Sequence, residues 1–240
     1  MKVFGIRCTV KNNMQLLYED DSVIIMADID NESPNAILSF SSIFGVLKKE
    51  RPEFVGILNQ IDYPATKIFI MDKRISWGNA INWKTVKEKI GFLLEDKTNI
   101  SSLGVSMGAF LAIYVSTLFD IKRVLAFKPQ YSVDNKLFVD PRILIDPNIS
   151  ITIPSLDGCF NNDTNYFIFE STNEEDMAHF KYIPNKENVY KYIIWGTETM
   201  TPMRKISNEL PDIIYNALTD NKDNVDKIFL DYEQQHAQNI

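Results

Sequence analysis

One serine stands between two glycines in the stretch Leu103-Gly104-Val105-Ser106-Met107-Gly108-Ala109, which has the pattern G-x-S-x-G. A short extended run ends at Val105, and an apolar, helix-compatible run begins at Ala109. In so tight a turn, a side chain at Gly104 or Gly108 would collide with neighbouring backbone, and the serine itself is strained. The pattern therefore predicts a serine hydroxyl raised above a sheet edge at a helix N-terminus, where a nucleophile can act.

The composition is that of one acidic α/β domain spanning residues 1–240. Hydrophobic residues make up 45% of the chain, which is enough for a sizeable core, and no linker rich in Pro, Gly or Ser divides it. The net charge of −7 argues against nucleic acid as a partner, because phosphate binding needs a basic face. The two histidines, His179 and His236, lie far apart with no cysteine nearby, so we expect no metal site.

The chain carries no sign of export or of membrane insertion. The N-terminal residues lack the apolar core of a signal peptide, and no apolar run reaches the length that spans a membrane. Cys8 and Cys159 lie far apart and neither belongs to a C-x-x-C pair, as expected of free thiols in a reducing compartment. We therefore expect a cytoplasmic protein without a membrane span. The sequence leaves the oligomeric state open.

Extended runs alternate with helical patterns along the chain. The extended runs are Val3–Val10, Met14–Glu19, Ser22–Asp30, Asn35–Ser42, Lys67–Asp72, Asn99–Ser106, Arg123–Gln130, Tyr166–Ser171 and Val189–Gly196. The helical patterns are Pro52–Gln60, Trp83–Glu95, Met107–Phe119, Glu174–Tyr182 and Pro202–Leu218. This alternation predicts a mostly parallel sheet with helices on both faces, and the consecutive early runs predict an antiparallel start.

Two segments do not follow this alternation of extended and helical runs. Residues 131–164 hold three prolines, several Asn and Asp residues and only short apolar pieces, so we interpret them as a small cap or lid insertion. The alternative is a surface excursion without a role. Residues 219–240 are polar with apolar positions at helical spacing, which predicts a C-terminal helix with a frayed end.

The motif and the strand that follows it resemble a group of bacterial α/β-hydrolases. The shared features are the elbow at Ser106 and the strand end Val124-Leu125-Ala126-Phe127-Lys128-Pro129-Gln130-Tyr131-Ser132. Members of this group are often linked to surface polysaccharide assembly, and a related set comprises capsule O-acetyltransferases. The resemblance spans roughly Asn35 to Leu210 and implies an α/β-hydrolase fold.

The same resemblance implies a function. It points to a serine-dependent esterase or acyltransferase that forms an acyl-enzyme on Ser106, acting on a small-molecule ester or a bacterial carbohydrate. No cofactor is required for such chemistry, and acetyl-CoA is the candidate acyl donor.

Acyl transfer needs an oxyanion hole beside the nucleophile. Chain order in this fold assigns one donor to the backbone N–H of Met107, the residue after the nucleophile. The second donor is expected from the loop after the Asn35–Ser42 run. Ser41, Ser42 and Ile43 are its candidates, and we favour Ser42.

The resemblance places the triad acid after a late strand, in a D-x-x-H context. This implies Asp176, with His179 three residues later. The alternative is structural, because acidic residues are common in the first turn of a helix, where they offset the dipole, and Asn173 is a plausible N-cap.

The expected position of the base carries no histidine. The fold places the histidine in the loop after the last strand, where Thr197 and Glu198 stand. A threonine cannot accept a proton near neutral pH, and a glutamate would need a strongly raised pKa. Three explanations remain: His179 acts from the same helix face as Asp176, His236 reaches the site from a folded-back C-terminal helix, or no base exists.

Gln130 and Trp77 lie at the sheet edge where ligands bind in this class, so we predict that they contact substrate. The alternatives are a solvated strand end for Gln130 and core packing for Trp77. Two functions remain under consideration. One is the serine-dependent esterase or acyltransferase, with Ser106, Asp176 and His179 as its triad, and the other is a catalytically degenerate binding protein that lacks the triad histidine.

Overall fold

A computed structural model of the chain describes residues 14–48, 52–134, 136–137, 139–194 and 206–237. Within these residues one sheet of eight strands has the order β1-β2-β4-β3-β5-β6-β7-β8. The strands are β1 Gln15–Glu19, β2 Val23–Asp28, β3 Asn35–Phe40, β4 Thr66–Asp72, β5 Asn99–Val105, β6 Ile121–Phe127, β7 Asn165–Ser171 and β8 Val189–Ile194. β2 runs antiparallel to β1 and β4, and all the other neighbours are parallel. The predicted antiparallel start is confirmed.

Helices cover both faces of this sheet. They are α1 Ile43–Lys48, α2 Val55–Leu58, α3 Trp83–Ile90, α4 Met107–Tyr114, α5 Glu174–Phe180, α6 Leu210–Leu218 and α7 Lys222–Ala237. Side chains alternate along β3, so that Leu38 packs in one apolar layer with α3 and α4, while Ile37 packs in the other with α2, α6 and α7. The central strands β3 to β7 bury side chains on both faces, which explains their near-continuous apolar runs, whereas the edge strand β1 is exposed or half-buried. The predicted helix–sheet–helix layering is confirmed.

The structure differs from the sequence prediction at several element ends. β6 stops at Phe127, because Lys128 has a φ of 56° and leaves the extended conformation. The predicted helix Pro52–Gln60 shortens to α2, because Phe54 at its start has a φ of 64°. Helix α1 was not predicted. The expected strand Val3–Val10 and the helix start at Pro202 lie outside the described residues.

The described residues between 131 and 164 contain no helix and no strand of the sheet. They form turns and one isolated bridge, between Ser132 and Ser155. The role of this segment as a cap stays a prediction. The expected C-terminal helix corresponds to α7, and among the described residues no helix is both long and apolar enough to cross a membrane.

Candidate active site around Ser106

Ser106 occupies a strained turn between β5 and α4. Its φ of 56° and ψ of −121° lie in a region that L-residues rarely adopt. A Cβ on Gly104 would lie 2.2 Å from the backbone of Gly108, and a Cβ on Gly108 would lie 2.2 Å from the carbonyl oxygen of Phe40. The two glycines are therefore required by backbone contacts, as the spacing of the motif predicts.

The hydroxyl of Ser106 is bound by an amide. Nε2 of Gln130 donates a hydrogen bond to Ser106 Oγ at 3.0 Å, and Gln130 Oε1 accepts one from Nε1 of Trp77 at 3.3 Å. Gln130 and Trp77 are both buried, so the indole fixes which end of the amide faces the serine. An amide cannot accept the serine proton at neutral pH. The predicted substrate contact of Gln130 stays a prediction, while Trp77 lies behind Gln130 and is absent from the described cavity lining.

Asp72 organises the loop that carries Trp77. Its carboxylate is fully buried and accepts hydrogen bonds from the backbone N–H groups of Arg74, Ser76 and Gly78, and from the Ser76 hydroxyl. Burial raises the pKa of Asp72, although these four donors oppose the rise. The carboxylate holds the chain in a turn where Trp77 has a φ of 51°. In the sequence, Asp72 is recognisable only as the last residue of the extended run Lys67–Asp72.

Asp176 is bound by two cations. Lys128 Nζ lies 2.8 Å from one carboxylate oxygen, and Arg142 lies 2.5 Å from the other. The hydroxyl of Ser171 donates to the same carboxylate at 2.5 Å. Asp176 is 2% exposed, and Asn173 caps α5 by accepting the N–H of Asp176. The described contacts of Asp176 are thus cations and a hydroxyl, and its role as a triad acid stays a prediction.

His179 has partners at both ring nitrogens. Nδ1 accepts the backbone N–H of Tyr131 at 2.9 Å, which requires that Nδ1 carry no proton. Nε2 therefore carries the proton and lies 2.9 Å from Asp140 Oδ2, to which it donates. The side chain is 1% exposed. In this arrangement neither nitrogen is available to Ser106, so the structure does not bring Ser106, Asp176 and His179 together as a triad.

Asp140 and Arg142 connect the buried side chains of Asp176 and His179. Arg142 donates three hydrogen bonds from its guanidinium to the Asp140 carboxylate and one to Asp176. Burial alone would raise the pKa of Asp140, but hydrogen bonds from His179 and Arg142 outweigh it and hold that pKa below its ordinary value. Both residues come from the 131–164 segment, which sequence reasoning treated only as a cap.

One of the two predicted oxyanion donors already has a partner. The backbone N–H of Ser42 donates to Glu53 Oε2 at 2.6 Å, and the Ser42 hydroxyl donates to Glu53 Oε1 at 2.8 Å. The N–H of Ser41 bonds instead to the Ile70 carbonyl within the sheet. Met107, whose N–H is the other predicted donor, directly follows Ser106 and is the first residue of α4. Sequence reasoning missed Glu53, because no local pattern links it to a residue eleven positions earlier.

Ser106 lines a cavity of about 600 Å³. One part of its described wall is apolar and consists of Ile43, Phe44, Phe54, Ile57, Val105 and Leu210. The other part is polar or charged and consists of Ser42, Glu53, Lys128, Gln130, Arg142 and Asp176. A cavity of this size and mixed lining suits a small-molecule ligand with an apolar and a polar end.

Glu170 is a buried acid beside this charged wall. Burial and the negative charge of Asp176 raise its pKa well above the ordinary value, and the Ser171 N–H, Lys128 and Arg142 oppose the rise. Its Oε1 accepts the N–H of Ser171 at 3.0 Å, whereas Oε2 has no hydrogen-bond partner among the described residues. Sequence reasoning missed it, because Glu170 stands inside an otherwise apolar strand.

The remaining predicted positions lie outside the described part of the chain. Thr197 and Glu198, at the place of the expected histidine, are not described, and neither is the side chain of His236 on α7. Within the described residues no cluster of three or more His, Cys, Asp or Glu side chains is arranged to hold a metal ion.

No protein-family model and no curated protein sequence matches this chain. Solved structures are similar to it. The esterase Pf2001 of Pyrococcus furiosus has 17% identity and a TM-score of 0.57, over 86% of this chain and 91% of the esterase. The capsule O-acetyltransferase of Neisseria meningitidis serogroup A has 14% identity and a TM-score of 0.55, over 83% and 93%. Carboxylesterase CesB of Bacillus subtilis has 9% identity and a TM-score of 0.58, over 88% and 92%.

At these identities the similarities establish the fold. Together with the strand order and the strained serine turn, they confirm that the chain has an α/β-hydrolase fold.

Proposed function

We propose that this protein is a serine-dependent esterase or acyltransferase that forms an acyl-enzyme on Ser106. The observation that carries this proposal is the conformation of Ser106, strained at the start of α4 and facing the cavity. Backbone strain of this kind costs on the order of 1–3 kcal/mol and persists where the surrounding structure imposes it, typically at functional sites. The helix N-terminus adds a positive dipole end where negative charge develops.

The proposed reaction has two steps. Ser106 Oγ attacks the carbonyl carbon of an ester or a thioester, its proton is transferred to the leaving alcohol or thiol, and the bond from that carbon to the leaving oxygen or sulfur breaks. Water or a second hydroxyl then attacks the serine ester, and Ser106 regains its proton. The N–H groups of Met107 and Ser42 are the donors proposed for the carbonyl oxygen as it becomes negative.

The cavity supports a substrate with two unlike ends. Its apolar wall suits an acyl group, and its charged wall offers hydrogen bonds to hydroxyl groups such as those of a carbohydrate. Acetyl-CoA is the proposed acyl donor for the transferase form of the reaction. A mutant of the similar capsule O-acetyltransferase was solved in complex with CoA, which supports testing this donor first.

The proposed reaction has two versions, which differ in the group that accepts the proton of Ser106. Since His179 is bound at both nitrogens, the alternatives are His236 and a site without a histidine base. A site without a base still retains some rate, on the order of 10³–10⁴-fold over water, from the oxyanion hole and binding. A His236→Ala variant with unchanged turnover would exclude His236.

A second candidate function is ligand binding without turnover. It is favoured by the Gln130 amide, which holds the Ser106 hydroxyl where a base would be expected. In that case the cavity binds a small molecule or a partner group, and Ser106 contributes a hydrogen bond only.

Intact-mass spectrometry with a fluorophosphonate probe distinguishes the two candidates. The wild-type protein is expected to gain one adduct, and a Ser106→Ala variant of unchanged thermal stability is expected to gain none. No adduct on the wild type, under conditions that label a known serine hydrolase completely, would favour ligand binding.

A further inference from the structure

Glu53 contacts both polar groups of Ser42. Each carboxylate oxygen takes one hydrogen bond, at 2.6 Å from the backbone N–H and at 2.8 Å from the hydroxyl. Hydrogen bonds to an ionised acceptor are shorter and roughly twice as strong as neutral ones. The contact is therefore a firm two-point attachment between segments eleven residues apart.

The neighbouring backbone leaves room for this carboxylate. A Cβ on Gly45 would lie 2.9 Å from Glu53 Cγ and 3.0 Å from Glu53 Cδ. Both distances are too short for ordinary carbon contacts, and Ser41 Cβ would also lie close, at 3.1 Å. The long Glu53 side chain can yield more easily than Ser41 Cβ, so a side chain at Gly45 would displace Glu53. The half-buried Glu53 side chain thus fits into a gap that the glycine of α1 provides.

The attachment lies beside the nucleophile. β3 pairs with β5 so that Phe40 is opposite Gly104, and the backbone of Gly108 lies against the Phe40 carbonyl. Ser42 follows two residues later, and Ser42, Glu53 and Ser106 all line the same cavity. The Ser42 N–H is the donor that the developing oxyanion of an acyl group would need. A Glu53 carboxylate oxygen already accepts that N–H and therefore occupies the place of the oxyanion.

We infer that Glu53 is a built-in occupant of the oxyanion hole, and that it must leave Ser42 before acyl transfer can take place. This inference deepens the proposed function and depends on it for the identity of the hole. With Glu53 attached, Met107 is the one of the two proposed donors whose N–H remains for the oxyanion, and the site is held in an inhibited state. Displacement of Glu53, by substrate or by movement of the 52–54 turn, restores the second donor.

Two substitutions remove the occupant by different routes. Glu53→Ala deletes the carboxylate, and Gly45→Ala places a methyl group where the Glu53 side chain passes. Matched controls are Glu88→Ala, an exposed glutamate on α3, and Gly56→Ala, where an added Cβ meets nothing within 4 Å. If one test variant fails to fold, the other still carries the test.

The experiment measures fluorophosphonate labelling of Ser106 and the NMR signal of the Ser42 amide in the same five proteins, wild type included. Removing one oxyanion donor typically slows reaction on the order of 10²–10³-fold, so we expect both test variants to be labelled at least about tenfold faster than the wild type. The Ser42 amide proton should shift upfield in both variants, because it loses a charge-assisted bond. The two controls should match the wild type in both measurements.

The outcomes separate this inference from the proposed function. Equal labelling of the wild type and both variants would overturn the inference and leave acyl transfer standing. No labelling of any protein, with the amide shift present, would overturn acyl transfer and with it the inhibitory role of Glu53. An unshifted Ser42 amide would show that the contact with Glu53 does not exist in solution and would overturn the inference by itself.

Discussion

The side-chain amide of Gln130 donates a hydrogen bond to Ser106 Oγ over 3.0 Å, and Trp77 fixes the orientation of that amide from behind. Ser106 is consequently held by a neutral amide, whose Oε1 also accepts a hydrogen bond from Ser106 Oγ over 3.5 Å, rather than by a base. For acyl transfer, the Ser106 hydroxyl must either replace its hydrogen bond with Gln130 by one to a base or react slowly while that hydrogen bond persists.

Replacing Gln130 tests how firmly this arrangement is built. In Gln130→Ala the buried Nε1–H of Trp77 loses its acceptor, and an unsatisfied buried donor costs about 1–3 kcal/mol. We expect the free energy of unfolding in urea to fall by that amount. Gln60→Ala, at an exposed position, is the control and should leave it unchanged. An equal effect of the two substitutions would contradict the contact with Trp77.

The glycines of the elbow are predicted to be irreplaceable. Gly104→Ala would place a Cβ 2.2 Å from the backbone of Gly108, and backbone cannot yield as a side chain can. Overpacking of this severity should lower the free energy of unfolding by about 3 kcal/mol or more. Gly91→Ala is the matched control, since its added Cβ meets nothing within 4 Å and its φ is −54°. That substitution should be neutral or slightly stabilising, and thermal unfolding of both variants checks the contrast.

Asp176 is predicted to contribute strongly to stability whatever its part in the reaction. In Asp176→Asn the buried negative charge between Lys128 and Arg142 disappears, and breaking a buried ion pair costs about 3 kcal/mol. Asp146→Asn breaks an exposed pair with Arg74 and should change stability little, because exposed pairs are well solvated. Chemical denaturation of the two variants measures the difference. A stable Asp176→Asn protein would argue that the buried network is loosely formed.

The buried acid Glu170 is predicted to make stability depend on pH. Its pKa is raised in the folded chain, so folding takes up a proton at pH values between the ordinary 4.5 and the raised value. The free energy of unfolding should therefore fall as the pH rises through this window. Glu170→Gln carries no titrating proton, so its stability relative to the wild type should increase as the pH rises above the ordinary pKa of 4.5. A constant difference between the two proteins over this rise in pH would show that Glu170 titrates normally.

The fold was predictable because its signals are local. The elbow motif at Gly104, Ser106 and Gly108 depends on backbone contacts within one turn. Buried parallel strands are recognisable in the sequence as apolar runs. The end of β6 and the start of α2 were less predictable, because Lys128 and Phe54 have a positive φ and neither residue type favours that conformation.

The site was only partly predictable, because its contacts join distant segments. Asp176 and His179 share one face of α5, as their spacing implies, yet their partners Arg142 and Asp140 come from a segment more than thirty residues earlier. The bond between Ser42 and Glu53 likewise depends on how the 52–54 turn packs against α1. No periodicity or motif in the sequence encodes such pairings.

An acyl group on Ser106 can be trapped and observed as a covalent intermediate. Wild-type protein and Ser106→Ala would be mixed with p-nitrophenyl butyrate, quenched in acid at short times, and measured by intact-mass and peptide mass spectrometry. We expect a butyryl group on the peptide that contains Ser106, together with a matching release of p-nitrophenol, and neither in the variant. Release of p-nitrophenol at the same rate by both proteins, with no modified peptide, would contradict the acyl-enzyme on Ser106.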